Sequence, residues 1–138
     1  MTEDWYVLIE EDTRMTRRAD GVDLKLHRWA LVACHPVSGT EERALAAAED
    51  AALHHLPDVL ARHARRGDVP ARRAFRTSGG DWLVRLKQGH RECHIRVSTA
   101  RLVHEQEERQ APPKSLKEKF RTALEGPEAP EAPWAPRD

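Results

Sequence analysis

Apolar and polar residues alternate through three short runs, 72–76, 82–87 and 92–97, which Gly79-Gly80 and Gly89-His90 separate. Such alternation predicts strands, and each glycine pair predicts a two-residue hairpin loop. That reading sets Phe75 opposite Val84, and Trp82, Val84 and Leu86 opposite Val97, Ile95 and Cys93. Every pair is apolar, so these side chains share the face turned to a core. The opposite face then carries Arg72, Ala74, Arg76, Leu83, Arg85, Lys87, Glu92, His94 and Arg96. It is a basic face.

Upstream, residues 5–35 read as one long hairpin around Asp20-Gly21, a strong turn signal. Centring the turn there pairs Val22 with Ala19, Leu26 with Met15, Val32 with Ile9 and Cys34 with Val7. Glu11, Thr13 and Arg28 interrupt the apolar face, which predicts a bulge or a solvated stretch. A helix is expected over 38–66, with Ser38 and Glu41 as a capping box and Gly67 as its stop. Leu45, Ala48, Ala52, Leu56, Val59 and His63 form its apolar stripe, and Pro57 should kink or break it. Glu49, close to that stripe, is expected to pair with Arg28 or Arg73. The predicted fold is α+β: an antiparallel sheet of about five strands in the order ββαβββ, with one long helix packed on one face.

Residues 98–110 fit either a continued strand or a charged helix. After Pro112-Pro113, Ser115 and Glu118 form a second capping box, and Leu116, Phe120 and Leu124 line one side of a short helix over 115–125. The closing stretch EGPEAPEAPWAPRD is expected to be disordered or extended. The chain therefore divides into a single α+β domain over 1–104 and a charged, Pro-rich extension over 105–138.

Composition narrows the class. Lys+Arg and Asp+Glu both number 23, so the chain is neutral, and a folded body with a polar tail explains its modest apolar content. Arg far outnumbers Lys and Ala is abundant, as in a GC-rich bacterial genome, so arginine content alone does not signal Arg-specific chemistry. The acidic start MTEDWYVLIEED has no secretory pattern, and no apolar run reaches membrane-spanning length. Two cysteines are too few for a disulfide scaffold. A cytoplasmic protein with no membrane association is expected.

Catalytic and metal chemistry find little to use. Cys34-His35 and Cys93-His94 both fall in predicted strands, where neighbouring side chains point to opposite faces. One site could take the two cysteines or the two histidines, never all four, and the cysteines read as small buried thiols on the core face. Asp50, His54, Asp58 and Arg62 recur at every fourth position, the pattern of a solvated helix face. There is no nucleophile elbow, phosphate-binding loop, dinucleotide fingerprint or HExxH motif. No catalytic residue, metal or cofactor is predicted from the eight histidines. The basic face remains: Arg72, Arg76, Arg85, Lys87, His94 and Arg96 would meet an acidic protein surface in a non-catalytic binding or regulatory module. A nucleic-acid-binding domain using the same face is the alternative, although the expected face has no stacking aromatic except a neighbouring Trp29. Phe120 and Trp134 are secondary contact candidates in the tail, unless the helix around Phe120 docks on its own domain.

Overall fold

A computed structural model describes residues 4–113, 115–126 and 134–137. The chain divides into two compact units, Met1–His104 and Glu105–Asp138. In the first unit, β1 (Trp5–Ala19) and β2 (Val22–Val37) precede α1 (Glu41–His54) and the one-turn α2 (Asp58–Ala61). β3 (Ala71–Arg76), β4 (Trp82–Gln88) and β5 (Arg91–Arg101) complete it. All pairings are antiparallel, in the order β2-β1-β5-β4-β3. The fold is α+β.

One face of the sheet is covered. Val7 and Ile9 of β1, Val84 and Leu86 of β4, and Cys93, Ile95 and Val97 of β5 are buried against Ala48 and Ala52 of α1 and Leu60 of α2. Alanine on the buried side of α1 lets the helix approach the sheet closely, because it presents no bulk beyond Cβ. The buried stripe is Ala44, Ala48 and Ala52, while Leu45 of the expected stripe is exposed. The helix is also shorter than expected. Thr40, not Ser38, caps it, accepting from the Arg43 N–H at 3.4 Å. Pro57 breaks it after His54, so the order is ββααβββ and not ββαβββ in this unit. The break resets the helical phase, burying Leu60 where Leu56 and Val59 were expected.

The second meander turn follows the predicted register, with Gln88 opposite Arg91 and Leu86 opposite Cys93. The first does not. The Thr77 N–H donates to the Asp81 carbonyl at 2.7 Å, and the Gly80 N–H donates to the Thr77 carbonyl at 2.9 Å. These bonds enclose a three-residue loop, Ser78-Gly79-Gly80, with Gly80 at φ 90°, the geometry of a type I turn followed by a glycine bulge. One extra loop residue turns every β3 side chain to the opposite face. Ala74 therefore faces Val84, Arg72 faces Leu86, and Phe75 faces Leu83 on the uncovered side. A similar slip occurs in β2. The register shifts between Ile9 and Glu10, leaving Val32 without an opposite residue, so Ile9 meets Ala33 and Leu8 meets Cys34. Near the turn the predicted pairs Ala19–Val22 and Met15–Leu26 are present.

Arg72, expected on the open face, instead lies under the helix break. Its Nη1 donates to the Ala52 carbonyl at 2.9 Å and its Nη2 to the His55 carbonyl at 2.7 Å. A continuing helix would have paired the Ala52 carbonyl with the Leu56 N–H. The guanidinium replaces that bond and places positive charge where the helix dipole is negative. Burial pushes the Arg72 guanidinium below its ordinary pKa. The same break brings His55 Nε2 to 2.9 Å from Oε1 of the buried Glu11. Glu49, by contrast, is exposed and is not the core carboxylate.

After Arg101, residues 102–113 have no regular structure. In the second unit, α3 (Leu116–Glu125) starts at the predicted capping box: Ser115 N donates to Glu118 Oε2 and Glu118 N to Ser115 Oγ, both at 3.3 Å. The expectation for the Pro-rich end falls largely on residues 127–133 and 138, outside the described residues.

Arg72→Met keeps the aliphatic stem but removes the donors to two carbonyls, and should cost about 1–3 kcal/mol. Arg73→Met, on the open side, should stay within about 0.5 kcal/mol. Urea denaturation midpoints of the two variants check this, and equal shifts would contradict the register of β3.

Candidate functional site

The sheet face opposite the helices is uncovered in the first unit. It is built by the alternate residues of all five strands: Trp29 and Leu31 of β2, Glu10 and Asp12 of β1, Glu92, His94 and Arg96 of β5, Leu83, Arg85 and Lys87 of β4, and Arg73 and Phe75 of β3. Four of the six residues expected there, Arg85, Lys87, His94 and Arg96, are present. Arg72 and Arg76 are not, because the three-residue loop turned them to the other side. Arg76 stacks over Trp82, 5.6 Å from the ring centroid. Arg73 takes their place on the open face.

The face is less uniformly basic than the sequence implied, since β1 adds two carboxylates. Arg96 Nη1 lies 3.5 Å from Glu10, and Arg85 Nε lies 2.5 Å from Glu92. Asp12 sits between two imidazoles, 3.3 Å from His27 Nδ1 and 3.5 Å from His94 Nδ1, and His94 Nε2 is 3.4 Å from Glu92. Charge is therefore segregated: the acids lie towards β1 and β5, the cations towards β3 and β4. At the cationic end Arg73 stands directly opposite Arg85, with Lys87 two residues along. Glu92 matches the Arg85 charge, so Arg73 and Lys87 carry the surplus there.

Two aromatics belong to this face: Trp29, expected beside it, and Phe75, expected on the core side. Phe75 is 49% exposed with the Arg73 guanidinium 5.2 Å from its ring centroid. Trp29 is 42% exposed, with Arg96 5.1 Å from its ring. A two-residue loop would turn Phe75 inward; the third loop residue turns it outward. Its flanking arginines, at 73 and 76, gave no independent signal.

The other side of the sheet has a cleft of about 370 Å³ between α2 and the β1–β5 pair, lined by Glu11, Thr13, Val59, Arg62, Arg91 and Cys93 among others. No histidine lines it, although His55 holds Glu11 from behind. The Cys93 thiol is buried and donates to the Asp12 carbonyl at 3.9 Å. Cys34, expected to be buried beside it, is exposed and pairs with Leu8 on the opposite face, because of the bulge at Val32. The two thiols cannot join one site. Among the described residues, no group of three or more His, Cys, Asp or Glu could hold a metal ion. The Asp50-His54-Asp58-Arg62 row resolves into two exposed contacts of 3.0 Å each, Asp50 with His54 and Asp58 with Arg62.

In the second unit, Phe120 and Trp134 are exposed, as are Leu116 and Leu124. No helix among the described residues is long and apolar enough to cross a membrane. No family model, curated protein or solved structure matches this chain.

The Arg85 hydrogen bond holds the Glu92 carboxyl below the usual glutamate range, with Arg85, His94 and Lys87 charges adding to the effect against partial desolvation. A depressed carboxyl pKa stabilises the fold above the unfolded-state value, and that contribution disappears as pH falls through the folded value. The Glu92 carboxyl carbon followed by NMR should therefore titrate below free glutamate. Arg85→Gln should move the midpoint upward, and an unmoved midpoint would contradict the pairing.

Proposed function

We propose that this chain is a small non-catalytic binding module that receives an acidic protein segment on its open sheet face. The observation that carries this reading is the uncovered, like-charged pair Arg73–Arg85 beside Lys87, with exposed Phe75 and Leu83 between and around them. Glu92 matches Arg85, so Arg73 and Lys87 leave this end of the face with surplus positive charge, which an anionic partner would meet. Phe75 among arginines is a combination enriched at protein interfaces, and Leu83 adds apolar contact beside it. The ion pairs Arg96–Glu10 and Arg85–Glu92 hold these side chains in place and contribute little to stability by themselves. A cytoplasmic setting fits an exposed, unbridged Cys34.

A nucleic-acid-binding domain is the second reading. It is favoured by Trp29 and Phe75, whose exposed rings carry arginines and offer stacking surfaces for unpaired bases. Carboxylates Glu10 and Asp12 beside Trp29 count against it, since they repel phosphate.

Titration with a synthetic Glu-rich peptide and with random single-stranded RNA, at two salt concentrations, separates the readings. The acidic-partner reading predicts peptide binding that weakens at least about tenfold in the Arg73→Glu/Lys87→Glu variant and more steeply at low salt. RNA binding with a strong salt slope, abolished by Trp29→Ala, would favour the second reading. Binding of neither ligand, or binding indifferent to the double reversal, would remove the face from both.

A further inference from the structure

β2 is an end strand, and its second half and first half lie in different settings. From Trp5 to Glu11, β1 is hydrogen-bonded on both sides, to β2 and β5. Beyond Glu11 it pairs with β2 alone, so residues 12–29 form a two-stranded ribbon extending past the rest of the sheet. A two-stranded ribbon is marginally stable in water unless further strands or a packed face support it. This one also exposes Val22, Leu24 and Leu26, at 59%, 44% and 43%, all on one side.

The turn fixes which backbone groups face the free edge. Asp20 and Gly21 have φ of 50° and 76°, the two positive values of a type I′ hairpin, so Ala19 and Val22 form a hydrogen-bonded pair. Antiparallel pairs alternate. Val22, Leu24 and Leu26 therefore turn their N–H and C=O groups towards β1, while Asp23, Lys25 and His27 present theirs at the open edge.

We propose that this edge pairs with the same edge of a second copy of this chain, antiparallel, about a two-fold axis through Leu24. The segment Val22-Asp23-Leu24-Lys25-Leu26 is self-complementary about Leu24, apolar against apolar and acid against base, as an isologous contact requires. Asp23 of each copy meets Lys25 of the other, using the outward N–H and C=O groups as hydrogen-bonded pairs. Leu24 meets Leu24, and Val22 meets Leu26, in the non-hydrogen-bonded positions where side chains lie closest. The apolar residues all fall on one face and the charges on the other. Moving the axis by one residue along the strand sets Asp23 against Asp23 or Lys25 against Lys25. Moving it by half that distance sets charge against leucine. Charge excludes the whole-residue shifts and backbone direction the half-residue ones, so the register about Leu24 remains, and the two ribbons become one four-stranded sheet.

Sedimentation equilibrium of the full chain over a concentration series tests this, with far-UV circular dichroism to verify folding. The wild type should dimerise reversibly. Asp23→Lys or Lys25→Asp alone creates two like-charged pairs by symmetry and should raise the dimer Kd about tenfold or more. The double exchange Asp23→Lys/Lys25→Asp, or an equimolar mixture of the two single variants, should restore dimerisation. A wild-type chain that stays monomeric up to submillimolar concentration would overturn the proposal. So would a dimer unaffected by the single reversals, or one that neither the exchange nor the mixture restores.

Discussion

The contact on which the first unit depends is the hold of Arg72 on the broken end of α1. A proline in a helix leaves carbonyls without donors, and a buried helix end cannot leave that need to water. Here the guanidinium of a neighbouring strand supplies two donors, to Ala52 and His55. Three features follow from it. The helix can end inside the covered layer, with Pro57 fully buried. His55 can turn towards the sheet and satisfy Glu11. β3 is held in the one register that sends Arg72 inward, and Arg73 and Phe75 outward. The composition of the open face is thus a consequence of how the helix is terminated on the other side.

Legibility in the sequence varied with the local chemistry. Gly89-His90 leaves a single acceptable loop, and the strands it joins have the register that loop predicts. Gly79-Gly80 fits a two-residue loop and also the end of a three-residue loop, and an Arg-Arg-Ala-Phe-Arg strand cannot decide between them: either register places one small or aromatic residue inward. The Ser115–Glu118 box and the Pro57 break were both legible because each rests on a backbone donor that must be satisfied or is missing. The buried Glu11 was not. A carboxylate in phase with Val7 and Ile9 reads as a solvated lapse in the pattern unless its partner is known, and His55 lies 44 residues away. Ala48 and Ala52 are buried as the stripe predicts, but Ala44 and not Leu45 completes it, and Glu49 lies outside the buried face.

The two sides of the sheet do different work. On the covered side, Arg72 holds the helix break and His55 partners the buried Glu11, which also lines the cleft beside α2. The open side has the opposite character: its charges sit at the surface, partly matched, with cations concentrated towards β3 and carboxylates towards β1. A face of this kind gains most from a partner of complementary charge, and gains orientation as much as affinity. The β2 edge is a separate surface in the same sheet, and its pairing would leave the cationic end near β3 free.

The register of β3 decides both the Arg72 hold and the identity of the binding face, so it is the point to measure. In the three-residue loop, Ala74 and Val84 form a non-hydrogen-bonded pair, whose α-protons lie close together across the strands. A strong Hα–Hα nuclear Overhauser effect between Ala74 and Val84, with another between Arg76 and Trp82, is the predicted result. An effect between Phe75 and Val84 in their place would contradict the account, returning Phe75 to the core and Arg72 to the open face.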